Sequence, residues 1–175
     1  MNKAVFFDRD GIINLDKQYV HKVEDFFFFP EVFDTLKWLR EKGYILILIT
    51  NQSGIARGYY TVEKMETLHQ YMQNELCKHA AEFDEIFYCP HHPNGIIPKY
   101  SFECKCRKPG KQLFERAIQK YKIDPQKSIA IGDNDRDLIP AEQIGMKCIK
   151  ISDCYDDKWI TCTRLDEIKR YIEET

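Results

Sequence analysis

Short apolar runs alternate with stretches of helical spacing along most of this chain, and this order constrains the fold more than any other feature. The apolar runs have the length and β-branched content of buried strands and cover residues 4–7, 45–49, 86–88, 128–131 and 147–151. Between them, apolar residues recur every three or four positions over residues 32–39, 65–76 and 113–121. The alternation predicts an α/β fold, a three-layer Rossmann-like parallel sheet with helices on both faces.

Polar residues follow four of the predicted strands directly. They are Asp8, Thr50, Cys89 and Asp133. Ligands of an open parallel sheet bind beyond the carboxyl ends of its strands. We therefore expect the four segments to converge on one edge of the sheet, and we expect the functional site there.

The composition narrows the possible partners. A chain of 175 residues, 43% hydrophobic, can bury one core, so we expect a single domain spanning residues 1–175. A net charge of −2 and a pI near 6.2 provide no basic field for a nucleic acid or an acidic membrane surface. The apolar run before Asp8 is too short for a secretory signal or a membrane span, so we expect a cytoplasmic protein. A monomer is the default expectation.

The first strand runs into the sequence Asp8-Arg9-Asp10-Gly11. Two carboxylates one residue apart can divide covalent catalysis between a nucleophile and a proton carrier. Asp8 would attack phosphorus, and Asp10 would protonate the leaving alcohol and later deprotonate water. A strand followed by an ordinary turn is the alternative interpretation of this tetrapeptide.

A second acidic loop, residues 132–137, follows another predicted strand. Mg²⁺ prefers oxygen ligands and usually takes one or two protein carboxylates with phosphate and water. Asp8 and Asp133 satisfy that requirement. For Asp135 a solvated turn is the favoured interpretation, with Asp137 near the start of the next helix.

Donors for a phosphate are available on two further segments. Thr50-Asn51-Gln52-Ser53-Gly54 offers hydroxyl, amide and backbone N–H groups, although helix capping alone would explain it. Lys108 would supply a fixed positive charge beside the anionic nucleophile, although an Arg-Lys pair is usually at the surface.

The seven cysteines are odd in number, and three of them fall near one another with a histidine. Three sulfurs and one imidazole make a closed tetrahedral zinc set, here Cys89, His91, Cys104 and Cys106. His92 could replace His91, but the closer Cys-x-His spacing favours His91. Because four protein ligands leave no open position, we expect structural zinc in a loop spanning residues 89–106. Buried cysteines or a catalytic thiol are the alternatives.

The order Asp8-x-Asp10, Thr50-Asn51, Lys108 and Gly132-Asp133 resembles the four motifs of the haloacid dehalogenase superfamily of phosphatases. The resemblance covers residues 4 to about 145 and implies a HAD-like fold. It implies that Asp8 is the nucleophile and that Asp10 is the acid/base and a backbone-carbonyl ligand of Mg²⁺. It further implies that Thr50 and Lys108 hold the phosphoryl group and that Asp133 completes the magnesium site. The short interval between the first two motifs leaves no room for a large cap domain.

The zinc loop placed just before Arg107 is similar to one subgroup, the D-glycero-D-manno-heptose 1,7-bisphosphate 7-phosphatases and the related histidinol phosphatases. The run Ser53-Gly54-Ile55-Ala56-Arg57-Gly58 resembles the heptose enzymes, from which the histidinol enzymes diverge. The resemblance implies a small phosphosugar substrate and a sugar site lined by Asp16, Lys17, Gln18, Tyr19, Asn51, Gln52, Ser53 and Arg107. A contact from Arg57 to a second phosphate is a further expectation.

Two departures from that subgroup concern the substrate. Asn134 stands near the substrate where the heptose enzymes commonly have a basic residue, which removes one expected charge. After Pro109 the chain reads Gly110-Lys111, where the relatives continue with a second Pro. The first hypothesis is therefore hydrolysis of the 7-phosphate of a heptose 1,7-bisphosphate. A phosphatase for histidinol phosphate, or for another phosphosugar, is the second hypothesis. A zinc-ordered binding module without catalysis is the third.

Overall fold

A single sheet of six parallel strands organises the molecule in the computed structural model, which describes residues 1–173. The strands are β1 (Ala4–Phe7), β2 (Ile45–Asn51), β3 (Glu85–Cys89), β4 (Ile129–Gly132), β5 (Lys147–Ile151) and β6 (Ile160–Cys162). They lie in the order β3-β2-β1-β4-β5-β6. β1 is central, with Val5 opposite Leu46 on one side and Ile129 on the other. The predicted parallel α/β sheet is confirmed.

Helices cover both faces of the sheet. They are α1 (Val32–Glu41), α2 (Val62–Cys77), α3 (Gln112–Tyr121), α4 (Asp135–Glu142) and α5 (Lys169–Glu173). Because successive strand residues point to opposite faces, Val5 and Phe7 pack with α1 and α2, and Phe6 packs with α3 and α4. The two apolar layers explain why the strands read as continuous hydrophobic runs.

The strand ends differ slightly from the expectation. β2 extends through Asn51 and β3 through Cys89, because Thr50 still pairs with Tyr88 and Asn51 with Cys89. The prediction that Thr50 and Cys89 directly follow strands was therefore wrong, since both lie within strand ends. The short edge strand β6 was not predicted, because three residues are too few to show a period.

Two long connections border the carboxyl edge of the sheet. Residues 8–31 contain one 3₁₀ turn, Val23–Asp25, and residues 90–111 contain another, Pro98–Tyr100. Within residues 1–173, neither connection adds an α-helix or a strand of the sheet, which agrees with the expected lack of a large cap. None of the helices in this part of the chain is long and apolar enough to cross a bilayer.

Candidate active site

Acidic residues meet where the strand order reverses, between β1 and β4. Asp8 follows β1 and Asp133 follows β4. The Asp8 amide donates to the carbonyl of Ile131 at 3.1 Å, which holds the two strand ends side by side. This reversal point is the crevice in which open α/β sheets bind ligands.

Two glycines permit the close approach of these acids. Gly11 has φ +84°, and a Cβ there would lie 2.4 Å from Asp133 Oδ2. A Cβ on Gly132 would lie 2.5 Å from the Cβ of Asp137. Any side chain at either position would displace a carboxylate, so the glycines belong to the construction of the site.

Lys108 lies at the centre of the cluster and is 3% exposed. Its Nζ is 2.7 Å from Asp8 Oδ1 and 2.7 Å from Asp137 Oδ1. It also donates to the carbonyl of Ile49 at 2.7 Å. Asn51 fixes the lysine backbone, since its Oδ1 accepts from the Lys108 amide and its Nδ2 donates to the Lys108 carbonyl.

Asp137 is the member of the cluster that the sequence interpretation missed. It is 3% exposed, and its Oδ2 accepts from the Asn134 amide at 3.2 Å in a capping box at the start of α4. The Asn-x-x-Asp spacing of a capping box was the available signal. Asp135, by contrast, is exposed and pairs with Lys150, as expected for a solvated residue, but it begins α4 and does not lie in a turn.

Burial and like charge govern the electrostatics of the cluster. Burial, followed by the neighbouring Asp137, raises the pKa of Asp8 to about 7 despite the opposing effect of Lys108. Burial also raises the pKa of Asp133. Burial alone would lower the pKa of Lys108, but Asp137 and Asp8 outweigh it and raise that pKa. The ionised carboxylates therefore need more positive charge than one ammonium supplies.

The donor set fits a hard divalent cation. Carboxylate oxygens of Asp8, Asp133 and Asp137 lie within 4.8 Å of one another. Mg²⁺ prefers such oxygen ligands and retains sites for phosphate and water. A divalent ion would also supply the positive charge that the buried acids lack.

A cavity of about 520 Å³ opens in front of Asp8 and Lys108. The predicted site residues that line it are Asp8, Asp10, Asp16, Gln18, Tyr19, Asn51, Gln52, Ser53, Arg57, Arg107, Lys108 and Asn134. Two others do not. Thr50 is buried and its Oγ1 accepts from Gln52 Nε2, and the Lys17 ammonium lies 4.1 Å from the centre of the Phe27 ring.

Besides Asp137, three lining residues were not predicted as site residues: Tyr60, His92 and Arg136. Tyr60 donates to Gln52 Oε1 at 2.6 Å and so orients an amide of the cavity wall. His92 and Arg136 belong to loops already assigned to zinc and to magnesium, which obscured a contribution to the cavity.

Part of the cavity wall is basic. Arg57 Nη2 lies 3.1 Å from His92 Nε2, and burial followed by Arg107 and Arg57 lowers the pKa of His92. Arg57 Nε and Arg107 Nη1 are buried and have no hydrogen-bond partner within the described residues. Arg136 adds a third guanidinium to the lining. Such a wall suits an anionic group of a ligand.

The cysteine loop forms a second cluster beside the first. Sulfur–sulfur distances among Cys89, Cys104 and Cys106 are 3.2–3.5 Å, and His91 Nδ1 lies 3.2 Å from Cys106 Sγ. A zinc tetrahedron with bonds near 2.3 Å has edges of about 3.7 Å, so the four ligand atoms are close to that arrangement. They can hold a metal ion, and His91 rather than His92 lies among the sulfurs.

The chain matches the model of the haloacid dehalogenase-like hydrolases over residues 7–145 and belongs to that family. Among similar proteins, the D-glycero-beta-D-manno-heptose-1,7-bisphosphate 7-phosphatase of Haemophilus ducreyi is 46% identical over 83% of this chain and 80% of its own. The D-glycero-alpha-D-manno-heptose-1,7-bisphosphate 7-phosphatase of Photorhabdus laumondii is 43% identical over 82% and 79%.

A solved structure extends the likeness to the whole fold. It is the D,D-heptose 1,7-bisphosphate phosphatase from B. bronchiseptica, complexed with magnesium and phosphate. It superposes with a TM-score of 0.85 and 26% identity, and covers 99% of each chain.

Proposed function

We propose that this chain is a Mg²⁺-dependent phosphatase that removes the 7-phosphate of D-glycero-D-manno-heptose 1,7-bisphosphate and yields heptose 1-phosphate. The observation that supports this best is the contact of Lys108 with both Asp8 and Asp137 in the lining of a polar cavity whose wall is partly basic. The two relatives described above have the same activity in their names. The reaction belongs to the supply of nucleotide-activated heptose for lipopolysaccharide core biosynthesis.

The first chemical step is an attack on phosphorus by an Asp8 carboxylate oxygen. The bond between phosphorus and the C7 oxygen breaks, Asp10 transfers a proton to that oxygen, and Asp8 retains the phosphoryl group as an aspartyl phosphate. Lys108 Nζ orients the Asp8 carboxylate through Oδ1 and offsets charge on the phosphoryl oxygens.

The second step returns the enzyme to its starting state. Asp10 removes a proton from a water molecule, whose oxygen attacks the phosphorus of the aspartyl phosphate and releases inorganic phosphate and the Asp8 carboxylate. Mg²⁺, held by Asp8, Asp133 and the Asp10 carbonyl, would stabilise negative charge on the phosphoryl group. Asp137 is placed to support the same site through Lys108.

Substrate recognition falls to loops because no large cap covers the cavity. Asp16, Gln18 and Tyr19 lie on one side, and the basic wall of Arg57, Arg107 and Arg136 lies in the same cavity. A bisphosphate places one phosphate at Asp8 and leaves the other for guanidinium groups. This arrangement favours a bisphosphate over histidinol phosphate, which has an amine in place of a second phosphate.

Structural zinc at Cys89, His91, Cys104 and Cys106 completes the proposal. Burial raises the pKa of the Cys89 and Cys106 thiols, which makes deprotonation without a metal unfavourable. Coordination would reverse this effect, since a zinc-bound thiol loses its proton. We further propose a cytoplasmic monomer that takes a small-molecule substrate and no nucleic acid.

The test is phosphate release by the purified protein with Mg²⁺, from heptose 1,7-bisphosphate and histidinol phosphate in parallel. Both anomers of the heptose substrate are needed, because the names of the relatives specify alpha in one case and beta in another. We expect release from position 7 of the heptose, identified from the organic product. Preferential hydrolysis of histidinol phosphate would make that compound the proposed substrate. Inactivity on every phosphomonoester would favour a binding module without catalysis.

A further inference from the structure

Arg9 is completely buried, with 0% exposure, and lies beside the proposed acid/base Asp10. An arginine is rarely buried unless its charge is paired and its donors are used. Here its partner is the carboxylate of Asp10, one residue further along the chain. The pair is therefore a built feature of the site and not a surface ion pair.

The guanidinium contacts Asp10 through two of its nitrogens. Arg9 Nη2 lies 2.9 Å from Oδ1 and 3.0 Å from Oδ2, and Nε donates to Oδ1 at 3.2 Å. Asn14 Nδ2 donates to the same Oδ1 at 3.0 Å. The Asp10 side chain is still 22% exposed, and the residue lines the cavity. The carboxylate is thus fixed by its neighbours and remains accessible from the cavity.

Two other segments fix the guanidinium itself. Arg9 Nη2 donates to the carbonyl of Val20 at 2.8 Å, in the loop that contributes Asp16 and Tyr19 to the cavity. Arg9 Nη1 lies 3.2 Å from Nε2 of His69, a buried residue of α2. Burial and the Arg9 charge lower the pKa of His69 to about 3, so the ring is neutral and its Nε2 accepts the bond.

We propose that Arg9 is a positioning residue for Asp10, with its guanidinium oriented by His69 and the Val20 carbonyl. The planar fork holds the Asp10 carboxylate where it gives a proton to the leaving C7 oxygen and takes one from the attacking water. Lysine cannot reproduce this geometry, because an ammonium is a point charge without a fork. The inference rests on the proposed function, since it assigns Asp10 the proton transfers.

Leaving-group dependence separates positioning from a merely structural contribution. The sugar alcohol of heptose 1,7-bisphosphate needs a proton as it leaves, whereas the phenolate of 4-nitrophenyl phosphate leaves without one. The parameter kcat/KM covers only the steps up to aspartyl-phosphate formation. A misplaced general acid therefore lowers kcat/KM for the sugar phosphate and has little effect for the aryl phosphate.

The experiment compares wild type, Arg9→Lys and the matched pair His69→Leu and His69→Gln, of which only the glutamine retains an acceptor. For Arg9→Lys we expect kcat/KM to fall about 10- to 100-fold with heptose 1,7-bisphosphate and less than about threefold with 4-nitrophenyl phosphate. His69→Leu should also lower kcat/KM more for heptose 1,7-bisphosphate than for 4-nitrophenyl phosphate, but by a smaller factor. His69→Gln should keep much of the wild-type kcat/KM. Arg9→Lys in an Asp10→Asn background should cause no further loss.

Equal losses on both substrates, or an additive loss in the Asp10→Asn background, would overturn the inference and leave Arg9 a structural residue. Thermal unfolding monitored by circular dichroism checks that each variant is folded. If Arg9→Lys does not fold, the His69 pair tests the same geometry. If wild type hydrolyses histidinol phosphate and not the heptose, the substrate proposal fails, and histidinol phosphate then serves as the alkyl phosphate. Inactivity on both alkyl phosphates would overturn the inference as well.

Discussion

The carboxylate cluster (Asp8, Asp133 and Asp137) and the cysteine cluster (Cys89, His91, Cys104 and Cys106) gather polar ligand atoms in contrasting ways. The carboxylate cluster contains the Lys108 ammonium and opens on a cavity of about 520 Å³. The cysteine cluster brings four protein ligand atoms together, with neighbouring atoms of the set 3.2–3.5 Å apart. An open set can exchange phosphate and water, and a closed set can only hold its ion.

The two clusters are joined by the chain itself, because Cys106 is followed by Arg107 and Lys108. Arg107 lines the cavity and Lys108 reaches Asp8. An ordered cysteine cluster therefore also holds the Lys108 ammonium in place in the carboxylate cluster. Replacing Asp8 by Asn, by contrast, leaves Lys108 in contact with Asp137 and the Ile49 carbonyl, so the cysteine cluster should keep its arrangement. The expected effects are consequently unequal in the two directions.

The largest effect is expected from Asp8→Asn, which removes the nucleophile while keeping the side-chain shape. Turnover should fall on the order of 10⁴-fold or more, whereas zinc content and fold remain unchanged. Steady-state phosphate release and metal analysis of the same sample measure both results. Asp135→Asn is the matched control, because this carboxylate is 63% exposed and its partner among the described residues is Lys150 of β5. Undiminished turnover in Asp8→Asn would contradict the mechanism.

The next effect is expected from Cys104→Ser, which opens the cysteine cluster. Zinc content should fall, the melting temperature should decrease, and turnover should fall about 10- to 100-fold because Arg107 and Lys108 are less well placed. Cys77→Ser is the control, since Cys77 is exposed and lies at the end of α2. Full activity in a zinc-free Cys104→Ser protein would show that the carboxylate cluster does not depend on the cysteine cluster.

The extent to which sequence predicted these regions differs for physical reasons. The cysteine cluster was predicted residue by residue, because thiol and imidazole spacing is specific in a short loop. Asp8 and Asp133 were also foreseen at one edge, since parallel strands bring their ends together. Asp137 was missed, because the capping-box spacing places it at the start of α4 but does not show its burial, which depends on Gly132 and on the packing of α4.

The burial of Arg9 and the composition of the cavity wall were also beyond sequence patterns. A residue between two aspartates in a turn is usually solvated, and only the fold brings His69 of α2 within 3.2 Å of it. Similarly, Arg136 reaches the cavity because of the orientation of the first turn of α4. Both the burial of Arg9 and the position of Arg136 in the cavity wall depend on contacts between segments that are far apart in sequence.

A third prediction uses pH to distinguish the clusters. Without metal, the raised pKa of Asp8 leaves it largely protonated below about pH 7. Mg²⁺ must displace that proton, so its apparent affinity should fall about tenfold for each pH unit below the pKa and level off above it. Calorimetric titration in buffers of different ionisation enthalpy should detect about half a released proton per ion at pH 7, rising towards one as the pH falls below the pKa of Asp8.

The raised pKa of Asp8 also determines the direction in which the stability of the fold changes with pH. In the metal-free protein, the folded state binds more protons than the unfolded state between the ordinary carboxyl pKa and about 7, so ionisation of Asp8 destabilises the fold as pH rises through this window. Mg²⁺ should therefore raise the melting temperature more above pH 7 than below it. Asp8→Asn serves as the control and should reduce this difference, leaving only what the raised pKa of Asp133 contributes. An equal stabilisation by Mg²⁺ on both sides of neutrality would contradict the assignment of Asp8 as a ligand.

The smallest effect is expected at the basic wall, from Arg136→Gln. Asn134 lacks the charge that the heptose enzymes commonly have at that position, and Arg136 is an exposed cation two residues further along that lines the same cavity. An exposed contact to a phosphate contributes little, so KM for heptose 1,7-bisphosphate should rise only about two- to fivefold. The KM for 4-nitrophenyl phosphate, which has no second phosphate, should not change.

Lys158→Gln is the control, because it removes a cation that does not line the cavity, and it should leave both KM values unchanged. Because salt screens exposed charges, the difference between wild type and Arg136→Gln should shrink as ionic strength increases. A difference that persists at high salt would mean that Arg136 shapes the wall and does not attract the phosphate.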